Sequence, residues 1–285
     1  MSRKPHSTSV NPMMRKIFVA LVCVAALSSC ATVPANQVVS SDARLEAGVF
    51  GAVKIEEFES RSFVSSRGTA LQYRVLRPRG EVPGRAYPLV VQLHGSGGIG
   101  TDNVKQMELL ARSWAMHDVR ERYPAFVLIP QFPVRSANYG PRTPDQHAVA
   151  SPALDDALEL VREFAASNAV DTSRIYATGF SMGGSTAWLL AQHAPEIFAA
   201  IVPFGGVAPP DDQAARFVGV PVLAIHGNAD TENPITADRR FVAAIRAAGG
   251  RHATLREYEG LVHSPPADAY PGFWWRDWMF AQRKK

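Results

Sequence analysis

Buried strands and amphipathic helices alternate along most of this chain. Residues 88–94 and 125–129 are continuous apolar runs, which are typical of strands covered on both faces. In residues 153–167, apolar side chains instead recur every three or four positions, as they do on one face of a helix. This alternation predicts an α/β fold with a mostly parallel, doubly wound sheet and helices on both faces. The functional site of such a sheet lies at the carboxyl ends of its strands.

The same patterns predict the remaining elements. A hairpin around Arg67-Gly68 precedes the parallel part of the sheet. Further strands are expected at 174–179, 198–204, 221–226 and 253–259, and further helices near 104–118, 182–193, 235–248 and 270–282. Only residues 205–219 separate two of these strands, a length that allows a loop and a short helix but no large cap domain.

The first 29 residues have the features of an export signal. Arg15 and Lys16 precede an apolar run at 17–27, which is shorter than the roughly 20 residues that a membrane-spanning helix needs. The run ends in Leu27-Ser28-Ser29-Cys30, which resembles a bacterial lipobox. We therefore expect Cys30 to be the lipidated first residue of the mature chain. Ordinary cleavage after a small residue, or a buried cysteine, is the alternative.

This signal determines the expected organisation and location. Residues 1–29 are predicted to be the signal peptide, 30–56 a tether and 57–285 a single catalytic domain. The lipid would anchor the protein to a bacterial membrane. Because Ala31 follows the cysteine, we expect the periplasmic face of the outer membrane if the source has two membranes. Translation could start at Met1, Met13 or Met14, and the sequence leaves the oligomeric state open.

The formal net charge of +4 does not indicate a nucleic-acid partner. Four basic residues and no acidic residue lie within residues 1–29, so the mature chain is close to neutral: Arg3, Lys4, Arg15 and Lys16. The sequence has no HExxH motif and no cysteine–histidine cluster, so we expect neither a metal nor another cofactor.

The motif Gly179-Phe180-Ser181-Met182-Gly183 predicts a nucleophile. It has the form G-x-S-x-G and stands directly between a predicted strand and a predicted helix. A serine on such a sharp turn projects above the sheet, and glycines flank it because side chains there would clash. We therefore expect Ser181 to be the nucleophile of a hydrolase. A plain structural turn is the alternative.

A second glycine-rich motif follows the strand at 88–94. Residues 94–98 (HGSGG) stand where an oxyanion loop is expected, since glycines let backbone N–H groups approach a substrate. We expect the backbone N–H groups of Ser96 and Met182 to be the donors. A simple glycine-rich turn is the alternative.

The base and the acid follow from chain order, which in this architecture is serine, acid, histidine. Of the histidines after Ser181, His263 alone follows a strand at the correct edge of the sheet; the others are His193, His226 and His252. Asp230 lies in the loop after the strand at 221–226 and is the expected acid. Asp211 and Asp212, after the preceding strand, are its rivals.

Together these motifs resemble the α/β-hydrolase esterases of the phospholipase/carboxylesterase and predicted-peptidase type, close to the dienelactone hydrolase and polyhydroxybutyrate depolymerase-like groups. The resemblance covers about residues 86–283 and includes residues 170–188 (VDTSRIYATGFSMGGSTAW) and 220–230 (VPVLAIHGNAD). It implies the α/β-hydrolase fold and serine catalysis without a cofactor. Relatives often carry Glu-Arg at the position of Gly98-Ile99, and an aromatic residue where Pro265-Pro266 stand, so the substrate remains open.

The resulting hypothesis is a serine carboxylesterase that forms an acyl-enzyme with a small ester. With no lid expected, residues 131–150 and the His263 loop should rim an open pocket that favours short acyl chains, roughly C2 to C6. The alternatives are a serine peptidase of the prolyl-oligopeptidase-like type and a non-catalytic binding lipoprotein on a hydrolase scaffold.

Overall fold

A computed structural model describes residues 36–40, 48, 50, 52–143 and 145–284. The predicted signal peptide and Cys30 lie outside the described residues. Within the described ranges, no helix is both long enough and apolar enough to span a bilayer.

Eleven strands are present in the described part of the chain. They are β1 (Asn36–Val39), β2 (Glu59–Val64), β3 (Ala70–Leu76), β4 (Tyr87–Leu93), β5 (Phe126–Gln131), β6 (Ala137–Tyr139), β7 (Ala148–Ala150), β8 (Val170–Phe180), β9 (Ala200–Phe204), β10 (Val222–Gly227) and β11 (Ala253–Tyr258). Nine of them form one sheet in the order β1-β11-β10-β9-β8-β4-β5-β3-β2. The β2–β3 and β3–β5 pairs are antiparallel, and all other neighbours in this sheet are parallel.

Helices cover both faces of this sheet. They are α1 (Leu109–Arg112), α2 (His117–Arg122), α3 (Ala153–Ser167), α4 (Met182–His193), α5 (Thr236–Ala247) and α6 (Phe273–Phe280). All seven residues of β4 are buried, because its alternate side chains enter two separate cores. Leu89 packs in the core that contains residues of α3, α4 and α5, whereas Val90 packs with residues of α1, α2 and α6. This arrangement is the predicted doubly wound α/β-hydrolase fold.

Most predicted elements are present with small changes at their ends, and α3 has its predicted bounds. The helix predicted over 104–118 is an exception. The chain instead forms a turn, in which Asp102 Oδ1 accepts hydrogen bonds from the N–H groups of Val104 and Lys105 at 2.9 and 3.0 Å. Helical structure then begins at Leu109 and is interrupted by a short 3-10 turn before α2. Asn103 has a φ of 55°, which lies outside the helical region, so the chain turns at this point.

Part of the segment predicted as a tether belongs to the sheet. Residues Asn36–Val39 form the edge strand β1, which pairs in parallel with β11. Farther along, the side chains of Phe50 and Val53 are buried in the core. The prediction of a tether over 30–56 is therefore wrong for these positions. Four residues of edge strand are too short to show a periodic pattern, and their pairing depends on a partner more than 200 residues away.

Candidate active site

Ser181 stands at the junction between β8 and α4, as the motif predicted. Its backbone has φ 58° and ψ −120°, in the left-handed half of conformational space that a non-glycine residue rarely adopts. The flanking glycines are required by close contact. A Cβ atom on Gly179 or Gly183 would lie 2.4 or 2.3 Å from the carbonyl oxygen of Leu93. The turn thus raises Ser181 above the carboxyl end of the sheet.

His263 and Asp230 lie beside Ser181 in space. The Nε2 atom of His263 lies 2.9 Å from Ser181 Oγ, and its Nδ1 atom lies 2.6 Å from Asp230 Oδ2. The imidazole therefore donates its Nδ1–H to the carboxylate and can accept the hydroxyl proton at Nε2. Both loops follow strands that run parallel to β8, so all three side chains meet at the same edge of the sheet. This is the geometry by which a histidine can take a proton from a serine.

The loop after β10 holds Asp230 firmly. Its Oδ1 atom accepts hydrogen bonds from the backbone N–H groups of Glu232 and Asn233, each at 2.9 Å. Burial by itself raises the pKa of Asp230, but hydrogen bonds from His226, His263 and the Asn233 N–H outweigh it and hold the pKa well below its usual range. The carboxylate therefore stays ionised next to His263.

The rival acids lie elsewhere. Asp211 begins a short 3-10 helix and pairs with Arg240 at 2.8 Å, and Asp212 is its exposed neighbour. No hydrogen bond or ion pair joins either of them to His263 among the described contacts. Chain order did not distinguish these acids, whereas the structure places Asp230 beside His263.

The predicted oxyanion donors lie close to Ser181. Ser96 begins a 3-10 turn after β4 and lines the same cavity as Ser181, and Met182 is the first residue of α4. Within the described residues, neither backbone N–H donates a hydrogen bond. The first N–H groups of a helix lack intrahelical partners and carry partial positive charge. Both amides are therefore available to a ligand atom near Ser181 Oγ.

His94 anchors this loop, a role that the sequence did not indicate. It is buried and lies with Nδ1 2.7 Å from the carbonyl oxygen of Gly95, while its Nε2 accepts a hydrogen bond from Phe132 N–H at 3.0 Å. These partners require a neutral imidazole with its proton on Nδ1. Burial lowers the pKa of His94 to about 4, against the opposing effect of the Gly95 hydrogen bond. The neutral ring thus ties the loop to the end of β5.

A cavity of about 320 Å³ opens beside Ser181. Twelve residues line it: Gly95, Ser96, Gly97, Glu108, Leu109, Leu110, Phe180, Ser181, Glu232, His263, Pro265 and Tyr270. A larger cavity of about 560 Å³ lies elsewhere and contains none of the residues predicted for catalysis. The His263 loop contributes to the lining, as expected.

The described residues of 131–150, predicted to rim the pocket, do not line this cavity. They contain the β6–β7 hairpin, which packs on the outside of α4. Hydrogen bonds join Tyr139 to Ser185 and Ser136 to Thr186, at 3.2 and 2.7 Å. The rim is instead formed by Leu109, Pro265 and Tyr270. The segment lies away from the cavity because its polar side chains form hydrogen bonds with the first turns of α4.

The charge of the cavity is unbalanced. Glu108 and Glu232 both line it, whereas none of the described lining residues is Lys or Arg. Glu108 Oε2 accepts a hydrogen bond from Gly95 N–H at 3.0 Å, and burial raises the pKa of Glu108 despite that bond. Glu232 is mostly exposed, with Oε2 3.8 Å from His263 Nε2. In the described part of the chain, no group of three or more His, Cys, Asp or Glu side chains is arranged to hold a metal ion.

The sheet order, the strained serine turn and the adjoining histidine place the chain in the α/β-hydrolase class. Within that class, residues 126–271, about half of the chain, match the dienelactone hydrolase family, and the chain belongs to it. A Salmonella typhimurium protein that bears a carboxymethylenebutenolidase name is 30% identical over 142 residues, which cover 46% of this chain and 49% of that protein. The match thus spans about half the length of this relative.

Solved structures agree on the fold. A thermostable esterase superposes with a TM-score of 0.73 and 30% sequence identity, covering 81% of this chain and 64% of that chain. Dipeptidyl peptidase 4 of Porphyromonas gingivalis superposes with a TM-score of 0.61 at 16% identity, covering 79% of this chain and 35% of that chain. The second likeness, at this low identity, shows the shared fold alone.

Proposed function

We propose that this protein hydrolyses carboxylic esters through an acyl-enzyme on Ser181. The observation that carries the proposal is the continuous set of contacts from Ser181 Oγ to His263 and from His263 to Asp230. The family match and the likeness to a thermostable esterase support it.

In the proposed reaction, His263 Nε2 takes the hydroxyl proton while Ser181 Oγ attacks the ester carbon. The carbonyl oxygen becomes an alkoxide, which the N–H groups of Ser96 and Met182 would stabilise. His263 then returns its proton to the departing alcohol, leaving an acyl-serine. A water molecule, deprotonated by the same imidazole, releases the acid and restores Ser181. Asp230 keeps the imidazole oriented and compensates its positive charge.

The cavity favours uncharged or cationic esters. Carboxymethylenebutenolide, named in the relatives, is a lactone that carries a carboxyl group. Here Glu108 and Glu232 would repel such an anion, and no Lys or Arg among the described lining residues could bind it. We therefore infer a small ester with no acidic group as the substrate. A volume of about 320 Å³ suits short acyl chains.

We also propose, from residues 27–30, that lipid on Cys30 anchors the enzyme to the periplasmic face of the outer membrane. Cys30→Ser should move the protein from the membrane fraction to the soluble fraction while turnover of soluble esters stays unchanged. Wild-type protein that is soluble and carries no lipid would refute this location.

A fluorophosphonate probe and an aryl-ester series test the catalytic proposal together. We expect the probe to label Ser181 in the wild type but not in Ser181→Ala, and activity to fall from C2–C6 acyl chains to long chains. Absence of labelling would support a non-catalytic binding protein. Faster hydrolysis of aminoacyl anilides than of aryl esters would indicate a peptidase.

A further inference from the structure

His226 occupies a fully buried position behind the candidate active site. It lies near the end of β10, and its side chain is 0% exposed. Its Nδ1 atom lies 2.8 Å from Asp238 Oδ2 on α5. Its Nε2 atom lies 2.8 Å from the carbonyl oxygen of Asn233 and 3.3 Å from Asp230 Oδ2. The reaction described above does not use this histidine.

Both ring nitrogens of His226 therefore face oxygen atoms that can only accept. A neutral imidazole has a single N–H and would direct the lone pair of its other nitrogen at a carboxylate or a carbonyl oxygen. A protonated Asp238 could relieve that conflict, but imidazole is the stronger base of the two groups. Asp238 Oδ1 also accepts a hydrogen bond from Trp188 Nε1 at 3.1 Å, so both oxygens of this side chain face N–H groups. The geometry requires an imidazolium with both N–H groups bonded.

The charges around His226 agree with this assignment. Asp238 faces it from α5, Asp230 from the loop after β10, and Glu257 from β11, where it is the register partner of His226. Arg239 compensates the negative charge of Glu257 through a 3.0 Å hydrogen bond. The buried carboxylates of Asp230 and Asp238 then face one imidazolium. Burial lowers the pKa of His226, but the bonds to Asp230 and Asp238 outweigh it and raise the pKa to about 9.

We propose that His226 is a positioning residue, a buried imidazolium that links the Asp230 loop to α5 and shares the Asp230 carboxylate with His263. This inference rests on the proposed hydrolase function, since it assigns His226 a role in the same reaction. Asp230 Oδ2 lies 2.6 Å from Nδ1 of His263 and 3.3 Å from Nε2 of His226. The His226 charge thereby offsets part of the attraction that Asp230 exerts on a protonated His263.

The protonation state can be measured in the full wild-type chain without any activity. Two-dimensional ¹⁵N–¹H spectra of the histidine rings should show both nitrogens of His226 carrying protons from pH 6 to pH 8. His94 serves as the internal control, because its partners require one bare nitrogen. A bare ring nitrogen on His226 at pH 7 would overturn the inference, whether or not the chain proves to be an esterase.

The functional consequence requires a variant that keeps a hydrogen-bonding group but loses the charge. In His226→Asn, we expect the acid limb of the kcat/KM profile for an aryl ester to move to higher pH by about one unit, from the loss of a charge near His263. His193→Gln is the matched control, because that histidine lies on α4 and bonds Leu189. If His226→Asn folds and the acid limb of its kcat/KM profile stays at the wild-type pH, the positioning role is rejected. If the variant does not fold, the ring spectra of the wild type still decide the protonation state.

Discussion

The Nδ1 atom of His263 lies 2.6 Å from Asp230 Oδ2, although 33 positions separate the two residues in the chain. Each stands in a loop after one of two neighbouring parallel strands, β11 and β10. Their contact therefore depends on strand order, and it orients the imidazole toward Ser181.

Loss of the nucleophile should abolish activity without unfolding the protein. For Ser181→Ala we expect kcat/KM on a short aryl ester to fall on the order of 10³-fold or more, since no other group can form the acyl-enzyme. Ser167→Ala, an exposed change at the end of α3, is the control and should retain full activity. Circular dichroism checks that both variants fold. Substantial activity in folded Ser181→Ala would contradict the assignment.

The two candidate acids can be separated by matched amide substitutions. Asp230→Asn should lower kcat by orders of magnitude, because the amide can no longer orient and stabilise a protonated His263. Asp211→Asn removes only a partly exposed ion pair with Arg240 and should change kcat less than about twofold. Steady-state kinetics at one pH suffice for the comparison. The reverse order would move the acid to the loop after β9.

His94 should make stability depend on pH in the mildly acidic range. Its folded-state pKa of about 4 lies below the ordinary histidine value of 6.5, so the unfolded chain binds the proton more readily between these pH values. His94 stabilises the fold above pH 6.5, and that contribution is lost as the pH falls toward 4. From pH 7 to pH 5 the loss amounts to about 2 kcal/mol.

Urea unfolding of the wild type and His94→Gln at both pH values measures this effect. The glutamine variant cannot titrate, so the wild type should lose about 2 kcal/mol more than the variant between pH 7 and pH 5. The comparison also removes the contribution of carboxylates common to both proteins. Equal losses would mean that His94 does not remain neutral in the folded state.

The negative cavity should select against anionic esters. Glu232→Gln removes an exposed carboxylate 3.8 Å from His263, and we expect it to raise kcat/KM for a succinyl-type monoester about two- to fivefold, with little change for a neutral ester. Glu196→Gln, outside this cavity, is the matched control. The measurement is the ratio of kcat/KM for the anionic ester to kcat/KM for the neutral ester. At high salt the wild-type ratio should rise toward that of the variant, because salt screens the repulsion by Glu232. An unchanged ratio would reject charge as the basis of selection.

Local patterns were sufficient for most of the fold. The apolar run at 88–94 indicates a strand that is buried on both faces, and such burial is typical of a parallel sheet covered by helices. The helical spacing at 153–167 indicates a helix with one buried face. Ser181 was also accessible from sequence, since its motif combines a strand end, a sharp turn and a helix start within a few residues. The short strand β1 was missed because its pairing with β11 leaves no local trace.

The sequence by itself determined the class of fold, a candidate nucleophile and a short set of candidates for its partners, because these depend on local burial and turn chemistry. Tertiary structure alone showed that Asp230, and not Asp211, lies beside His263, since this contact depends on distances across neighbouring strands. It also revealed the partners of His94 and His226, which include Phe132 after β5 and Asp238 on α5. A hydrogen bond requires its partners within about 3 Å, and only the folded chain brings such residues that close.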